Sequence, residues 1–207
     1  MKGKIEFREY RIEDRVFLEN IIRKTWQYDL FCSKEVARNM ASLYLASCLA
    51  NQTYTKVALI DKEPVGIIMA KNIKGYKGKV GLMFNQFKKG LRLYLNKEGR
   101  ETLKVFSGIS DLDKELLKQR NKEYKGEIAF FAVNEKCRGT GVGKSLFNFA
   151  MEYFKKEKID DFYLYTDDTC NYGFYEHQGL LRCGEKVHEV PIKVKNEMKF
   201  YLYEGVV

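Results

Sequence analysis

Residues Glu127–Val133 (Glu-Ile-Ala-Phe-Phe-Ala-Val), then Asn-Glu-Lys-Cys, then Arg138-Gly-Thr-Gly-Val-Gly-Lys144, restrict this chain to few folds. They read as a buried strand, a short turn, a glycine-rich loop and the start of an amphipathic helix. Glycines at 139, 141 and 143 remove side chains where backbone must approach a ligand, and they tolerate positive φ. The helix that follows places Val142, Leu146, Phe149, Ala150, Tyr153 and Phe154 on one face, spaced by three and four. Its unpaired N–H groups and positive dipole end point at the glycines. Such a junction is an anion cradle suited to a diphosphate.

The 207 residues fit one domain spanning 1–207. Hydrophobic residues at 45% and aromatics at 14% are ample for a core, and two prolines argue against disordered linkers. No segment approaches a membrane span, and the basic N-terminus lacks the apolar stretch of a signal peptide. Five cysteines (32, 48, 137, 170, 183) without CxxC spacing suit reduced thiols in the cytoplasm, and two histidines make a histidine-rich metal site unexpected; the reading is no metal. The net charge of +9 is concentrated: residues 71–126 hold 15 Lys/Arg against 6 Asp/Glu, while the remainder holds 22 of each. A solvated basic surface is one meaning of this. Attraction of an anionic ligand or partner is the other.

Along the chain, Lys4–Tyr10 reads as a strand. Glu13–Trp26 reads as a helix with Val16, Phe17, Ile21 and Ile22 near helical spacing. Ser33 reads as the N-cap of a second helix to about Ala50. Tyr54–Ile60 and Pro64–Ala70 flank a hairpin turn at Asp61-Lys-Glu63. Residues 71–125 break this rhythm with Gly75, Gly78, Gly81, Gly90 and Gly99 among lysines, and Asp111 reads as the cap of a charged helix through Arg120. They are read as an insertion between two strands with little core of its own. After Glu127 come a strand at Asp161–Thr166, a short helix at Asn171–Gln178 closed by Gly179, and an antiparallel pair at Leu181–Val190 and Glu197–Tyr203.

Gly139-Thr-Gly-Val-Gly-Lys-Ser145 invites comparison with a nucleotide-binding P-loop, but that motif requires glycine where Arg138 stands, and only 62 residues follow Ser145. The spacing also departs from the Gly-x-Gly-x-x-Gly dinucleotide fingerprint. Arg138-x-x-Gly141-x-Gly143 instead resembles the Arg/Gln-x-x-Gly-x-Gly/Ala signature of the GNAT superfamily of acyl-CoA-dependent N-acyltransferases. Phe174-Tyr175-Glu-His-Gln-Gly179-Leu180 resembles that family's Phe-Tyr-x-x-x-Gly-Phe element, with Leu180 in place of the final Phe.

The resemblance implies an α/β (α+β) fold with a mixed, mostly antiparallel sheet of six to seven strands, splayed central parallel strands and helices on both faces. It implies acetyl-CoA as co-substrate and a small-molecule or peptide amine as acceptor. The loop and first helical turn, Arg138, Gly139, Thr140, Gly141, Val142, Gly143, Lys144 and Ser145, would cradle the CoA pyrophosphate. Ala132 and Val133 would offer main-chain hydrogen bonds to pantetheine, as in strand addition. Tyr175 matches the general-acid position near the CoA sulfur, and Glu127 the offset of a catalytic Glu in the histone-acetylating branch. Asp168 stands where the family often has Asn, with Asn171 three residues later, so either is a candidate for the pantetheine contact.

Trp26, Tyr28 and Asp29, between the first two helices, form an aromatic stretch with one carboxylate able to hold an ammonium-bearing substrate. The basic insertion would repel a polycationic acceptor. A non-catalytic CoA-binding or regulatory module is the alternative, its insertion binding nucleic acid or another anionic partner through Lys/Arg interleaved with Tyr76, Phe84, Phe87 and Tyr94. No nucleic-acid motif accompanies that composition, so nucleic acid is not the expected partner. Neither is a membrane; a homodimer is allowed.

Overall fold

A computed structural model describes residues 4–189 and 197–207. β1 (Ile5–Arg8) leads through a 3-10 turn at Ile12–Asp14 into α1 (Arg15–Thr25), and a second 3-10 turn at Tyr28–Leu30 leads into α2 (Lys34–Ala50). The Ser33 hydroxyl accepts from the Val36 amide at 3.4 Å, so the cap read from sequence opens α2. On α1 the apolar stripe is shifted from expectation. Leu18, Ile21 and Ile22 are buried, whereas Val16 and Phe17 are exposed.

β2 (Tyr54–Ile60) and β3 (Glu63–Asn72) form a hairpin. Its two turn residues, Asp61 and Lys62, both take positive φ, as a two-residue hairpin turn requires. β3 alternates cleanly: Ile67 and Met69 enter one core with Leu18, Ile22 and Leu45, while Ile68 and Ala70 enter the other with Leu146 and Phe154. The sheet therefore has α1 and α2 on one face and α5 (Val142–Lys156) on the opposite one.

The segment read as an insertion holds two helices, α3 (Val80–Leu95) and α4 (Lys97–Arg120). The expected cap at Asp111 is corrected here: Asp111 lies mid-helix, and Asn96 caps α4 by accepting from the Gly99 amide at 2.9 Å. Gly75 and Gly78 lie in the connection between β3 and α3, whereas Gly81, Gly90 and Gly99 are tolerated inside helices held by tertiary contacts. Gly99 is required at the sharp α3–α4 corner, since a Cβ there would come within 2.3 Å of the Leu93 carbonyl oxygen. Nor does the insertion lack a core. Leu112 and Leu116 of α4 pack with Tyr163, Phe200 and Leu202 of the sheet.

β4 (Gly126–Val133), β5 (Asp161–Asp167), α6 (Gly173–His177), β6 (Leu181–Glu189) and β7 (Glu197–Val206) complete the chain. The expected end of β6 at Val190 lies outside the described residues. Strand order is β1-β2-β3-β4-β5-β7-β6, and β4–β5 is the parallel pair in an otherwise antiparallel sheet.

The C-terminal end of α4 and the segment after it are tied to β7 through Glu204, which receives Arg120 at 2.9 Å, Lys122 at 3.1 Å and the Tyr124 hydroxyl at 2.6 Å. Burial alone would raise this carboxyl, but the three donors prevail and hold it at about 2. Its stabilising contribution is therefore present above the ordinary carboxylate range and is lost as pH falls from about 4.5 towards 2. Glu204→Gln is expected to cost about 1–2 kcal/mol at pH 7. In denaturant melts the gap from wild type should close below pH 3; a constant gap across pH would contradict the assignment.

Candidate functional site

β4 and β5 pair at Gly126↔Phe162 and Glu127↔Tyr163 and then part. β4 stays with β3 up to Val133↔Gly66, with Ala129 bulged between the Phe130↔Met69 and Ile128↔Ala70 pairs. A bulge bends the strand that carries it, and this one lies just past the last β4–β5 pair. The wedge opens into a cleft of about 1040 Å³. Ile128–Val133 and Leu164–Asp167 line it from the sheet. Trp26, Tyr28 and Tyr44 line it on the α1–α2 side, and Phe106, Ile109 and Asp113 from α4.

Arg138, Gly139, Gly141, Gly143 and Lys144 also line the cleft. Gly139 and Gly141 take φ of 76° and 86°, a region costly for any residue with a Cβ. A 3-10 turn at Glu135–Cys137 and a 2.6 Å bond from the Thr140 hydroxyl to the Cys137 carbonyl brace the loop from behind. In α5 the Ser145 amide bonds to the Gly141 carbonyl at 3.0 Å, so helix geometry leaves the amides of Val142, Gly143 and Lys144 aimed out of the first turn. A Cβ built at Gly139 or Gly141 would meet nothing within 4 Å, so open space lies beside the loop at these two residues. Free donors, open space and a helix N-terminus fit a pyrophosphate. Val142 is itself fully buried under the helix, and neither Thr140 nor Ser145 is among the cleft-lining residues.

Tyr175, on α6, lines the cleft among Phe131, Phe174 and Tyr203. Its hydroxyl has no hydrogen-bond partner among the described residues, and burial pushes the phenol well above its ordinary range, so it stays protonated at neutral pH. Asn171 lines the cleft beside it, whereas Asp168 does not, and the Asp168 amide is bonded to the Lys199 carbonyl at 3.0 Å.

Glu127 enters the cleft from the start of β4. Burial raises its pKa, and Lys71, 3.9 Å away, opposes that rise. Lys71 in turn donates to Asn51 at 2.6 Å and lies 4.4 Å from the centre of the Tyr76 ring. A third carboxyl arrives from the insertion. Asp113 of α4 lines the cleft without a hydrogen bond or ion pair among the described residues, and burial, then Asp167 and Glu127, push it up to about 7.

Trp26 stacks on Phe130 with centroids 5.9 Å apart, and Tyr28, only 1% exposed, meets Phe106 edge-on at 5.2 Å. Both line the cleft. Asp29 does not: it is exposed and bound by Arg23 at 2.6 Å. Asp113, Asp167, Lys71 and Tyr165 are the site members that sequence reasoning missed. Asp113 lay in a segment whose net positive charge masked one inward acid, and Lys71 counted only as part of that charge.

Cys170 is half-buried, and desolvation first, then Asp167, pushes its thiol up to about 12; the buried Cys48 is likewise held at about 12 by desolvation. Neither suits a nucleophile. His177 is exposed and contacts the Gly173 carbonyl at 2.6 Å, and His188 is exposed on β6. No His/Cys/Asp/Glu group placed to hold a metal occurs among the described residues.

The chain resembles known structures along nearly its whole length. The Pyrococcus horikoshii protein PH1933 superposes with a TM-score of 0.60 at 16% identity, covering 99% of both chains. A ribosomal-protein-alanine N-acetyltransferase from Brucella melitensis gives 0.57 at 13% identity, covering 98% of this chain and 99% of that one. The PaiA N-acetyltransferase of Thermoplasma acidophilum, solved in complex with coenzyme A, gives 0.50 at 17% identity and covers 99% of each. No curated protein sequence matches the chain. The model of the acetyltransferase (GNAT) family matches residues 17–180, most of the chain and both motif regions, so this protein belongs to the GNAT family of acetyltransferases.

Proposed function

We propose that the protein is a cytoplasmic N-acetyltransferase that moves the acetyl group of acetyl-CoA onto a primary amine by direct attack, in a single domain with α3 and α4 as its insertion. The observation that carries this reading is the opening of one cleft between strands that part after two residue pairs, beside a helix N-terminus with outward amides. Five free cysteines suit a reducing compartment, and no helix of the described residues is long and apolar enough to cross a membrane.

The outward amides of Val142, Gly143 and Lys144, with the glycine backbone before them, hold the pyrophosphate, while Arg138 and Lys144 add charge at the rim and Thr140 and Ser145 brace the loop and first turn. Ala132 and Val133 present main chain to the pantetheine arm where β5 has left β4, with Asn171 alongside and Asp168 at the same end. Glu127 takes the proton that an incoming ammonium must lose before its nitrogen can attack. The new C–N bond replaces the C–S bond, and Tyr175 gives its hydroxyl proton to the departing sulfur. Burial suits both roles, because it raises the Glu127 carboxyl above its ordinary value, making it a stronger base, and keeps Tyr175 protonated.

Acceptor chemistry follows from the walls. Asp113, Glu127 and Asp167 supply negative charge among Trp26, Tyr28 and Phe106, an environment for an ammonium group. Asp29, engaged by Arg23, is at most a second-layer contributor to substrate binding. The insertion's exposed lysines lie outside the cleft lining, so its positive charge does not set the sign of the acceptor site. Small primary amines and peptide N-termini both fit.

Calorimetry should give micromolar acetyl-CoA binding that Gly141→Asp with Gly143→Asp abolishes; undiminished binding by that variant would remove the cradle. Tyr175→Phe should lower kcat about 10²-fold while leaving acetyl-CoA affinity intact. Unchanged kcat would end the general-acid role. Asp113→Asn should raise KM for cationic amines about tenfold and spare neutral-pH acetyl-CoA binding.

Asp113 also fixes a pH signature. Its folded pKa of about 7 exceeds the carboxylate's unfolded value, so the folded chain holds an extra proton between roughly 4 and 7. The contribution is present below pH 4 and lost as pH rises through about 7. Asp113→Asn should therefore melt above wild type at pH 8 and level with it at pH 4. A variant less stable than wild type at pH 8 would contradict the burial argument.

A further inference from the structure

Helix α3 packs onto α2 with the wrong side for an ordinary surface helix. Towards α2 it offers Lys89, bonded to the Ser42 hydroxyl, Gly90 against Leu43, and Leu93 as its buried residue. Its richest apolar stripe faces outward. Val80, Met83, Phe84, Phe87, Leu91 and Tyr94, with Leu95 at the end, recur at spacings of three and four and span an arc of about 120°. All are exposed, with Val80 at 80%, Phe87 at 65% and Leu95 at 73%. Isolated exposed apolar residues need no explanation, but an unbroken helical stripe of them marks an interaction face.

Charge says what covers it. No Asp or Glu occurs between Glu63 and Glu98, while eight Lys or Arg do. Lys79 and Lys88 stand at the two edges of the stripe, Arg92 lies beyond, and Lys74 and Lys77 precede the helix, all exposed. Lys88 folds to 4.6 Å from the Phe84 ring centre, its stem lying along the apolar stripe. A second copy meeting this face through a two-fold axis would set the same lysines against each other. An apolar stripe with a mainly basic border, in which Arg92 sits 4.0 Å from Glu35 of α2 and the lysines face solvent, matches an anionic lipid surface, where the rings enter the interface and the lysines meet headgroups.

We propose that α3 is an in-plane membrane-docking helix that holds the enzyme reversibly on anionic lipid surfaces. Met83 and Gln86 of the same helix line the catalytic cleft, so docking sets the cleft beside the lipid–water boundary. The proposal does not depend on which amine is acetylated.

The full chain would be sedimented with vesicles of phosphatidylglycerol mixed with phosphatidylcholine and with vesicles of phosphatidylcholine alone. Binding to the anionic vesicles, falling as salt rises and absent from neutral ones, is the expected result. Phe84→Glu with Phe87→Glu should weaken it about tenfold or more, and Lys88→Glu with Arg92→Glu likewise. Both variants alter exposed side chains, so unchanged melting and acetyl-CoA affinity should accompany the loss. Absence of vesicle binding by wild type, or equal binding by the variants, would overturn the proposal. A concentration-dependent dimer dissolved by Phe84→Glu would overturn it in favour of a contact between copies. Salt-sensitive RNA binding lost in the lysine variant, without vesicle binding, would overturn it in favour of nucleic acid.

Discussion

Two residue pairs, Gly126↔Phe162 and Glu127↔Tyr163, are all that joins β4 to β5, and the site depends on their ending there. Beyond them each strand keeps its other neighbour: β4 stays with β3 as far as Val133, and β5 stays with β7 from Asp161 to Asp167. The sheet thus remains continuous while a wedge opens at its middle, where backbone groups lack a strand partner. Buried backbone polar groups must be satisfied, so this wedge demands either water or an extended ligand. The outward amides of α5 lie at the end of the same wedge, so an unpaired strand edge and a helix N-terminus share one cleft.

Helices α3 and α4 complete that cleft. Helix α4 lies across the sheet with Leu112 and Leu116 in a core shared with β5 and β7, and Glu204 gathers Arg120, Lys122 and Tyr124 at its far end. That anchoring lets Phe106, Ile109 and Asp113 form a wall opposite Trp26 and Tyr28. The charge of the insertion is sorted by direction. Its cleft-lining ionisable residue on α4 is an acid, and its exposed basic residues border the apolar stripe of α3.

Much of the fold was legible because local signals agreed: Ser33 capping α2, Asp61-Lys62 turning the hairpin, and the apolar runs Tyr54–Ile60 and Pro64–Ala70 on either side of it. The loop from Arg138 to Lys144 was legible because a glycine pattern and helix periodicity coincide there. Two failures have physical causes. Gly81, Gly90 and Gly99 suggested loops, yet tertiary contacts hold helices through them, and of the three only Gly99 answers a steric demand. Asp113 could not be recognised because its importance comes from burial near Glu127 and Asp167, positions distant in sequence. Asp29 shows the converse, a well-placed acid in sequence whose charge is met by Arg23 at 2.6 Å.

Amide hydrogen exchange with and without acetyl-CoA tests the central claim most directly. Acetyl-CoA should slow exchange at residues 139–144 and along 128–133 together, since one ligand spans the helix N-terminus and the wedge. Exchange unchanged in both segments, despite saturating acetyl-CoA and a folded chain, would contradict the account.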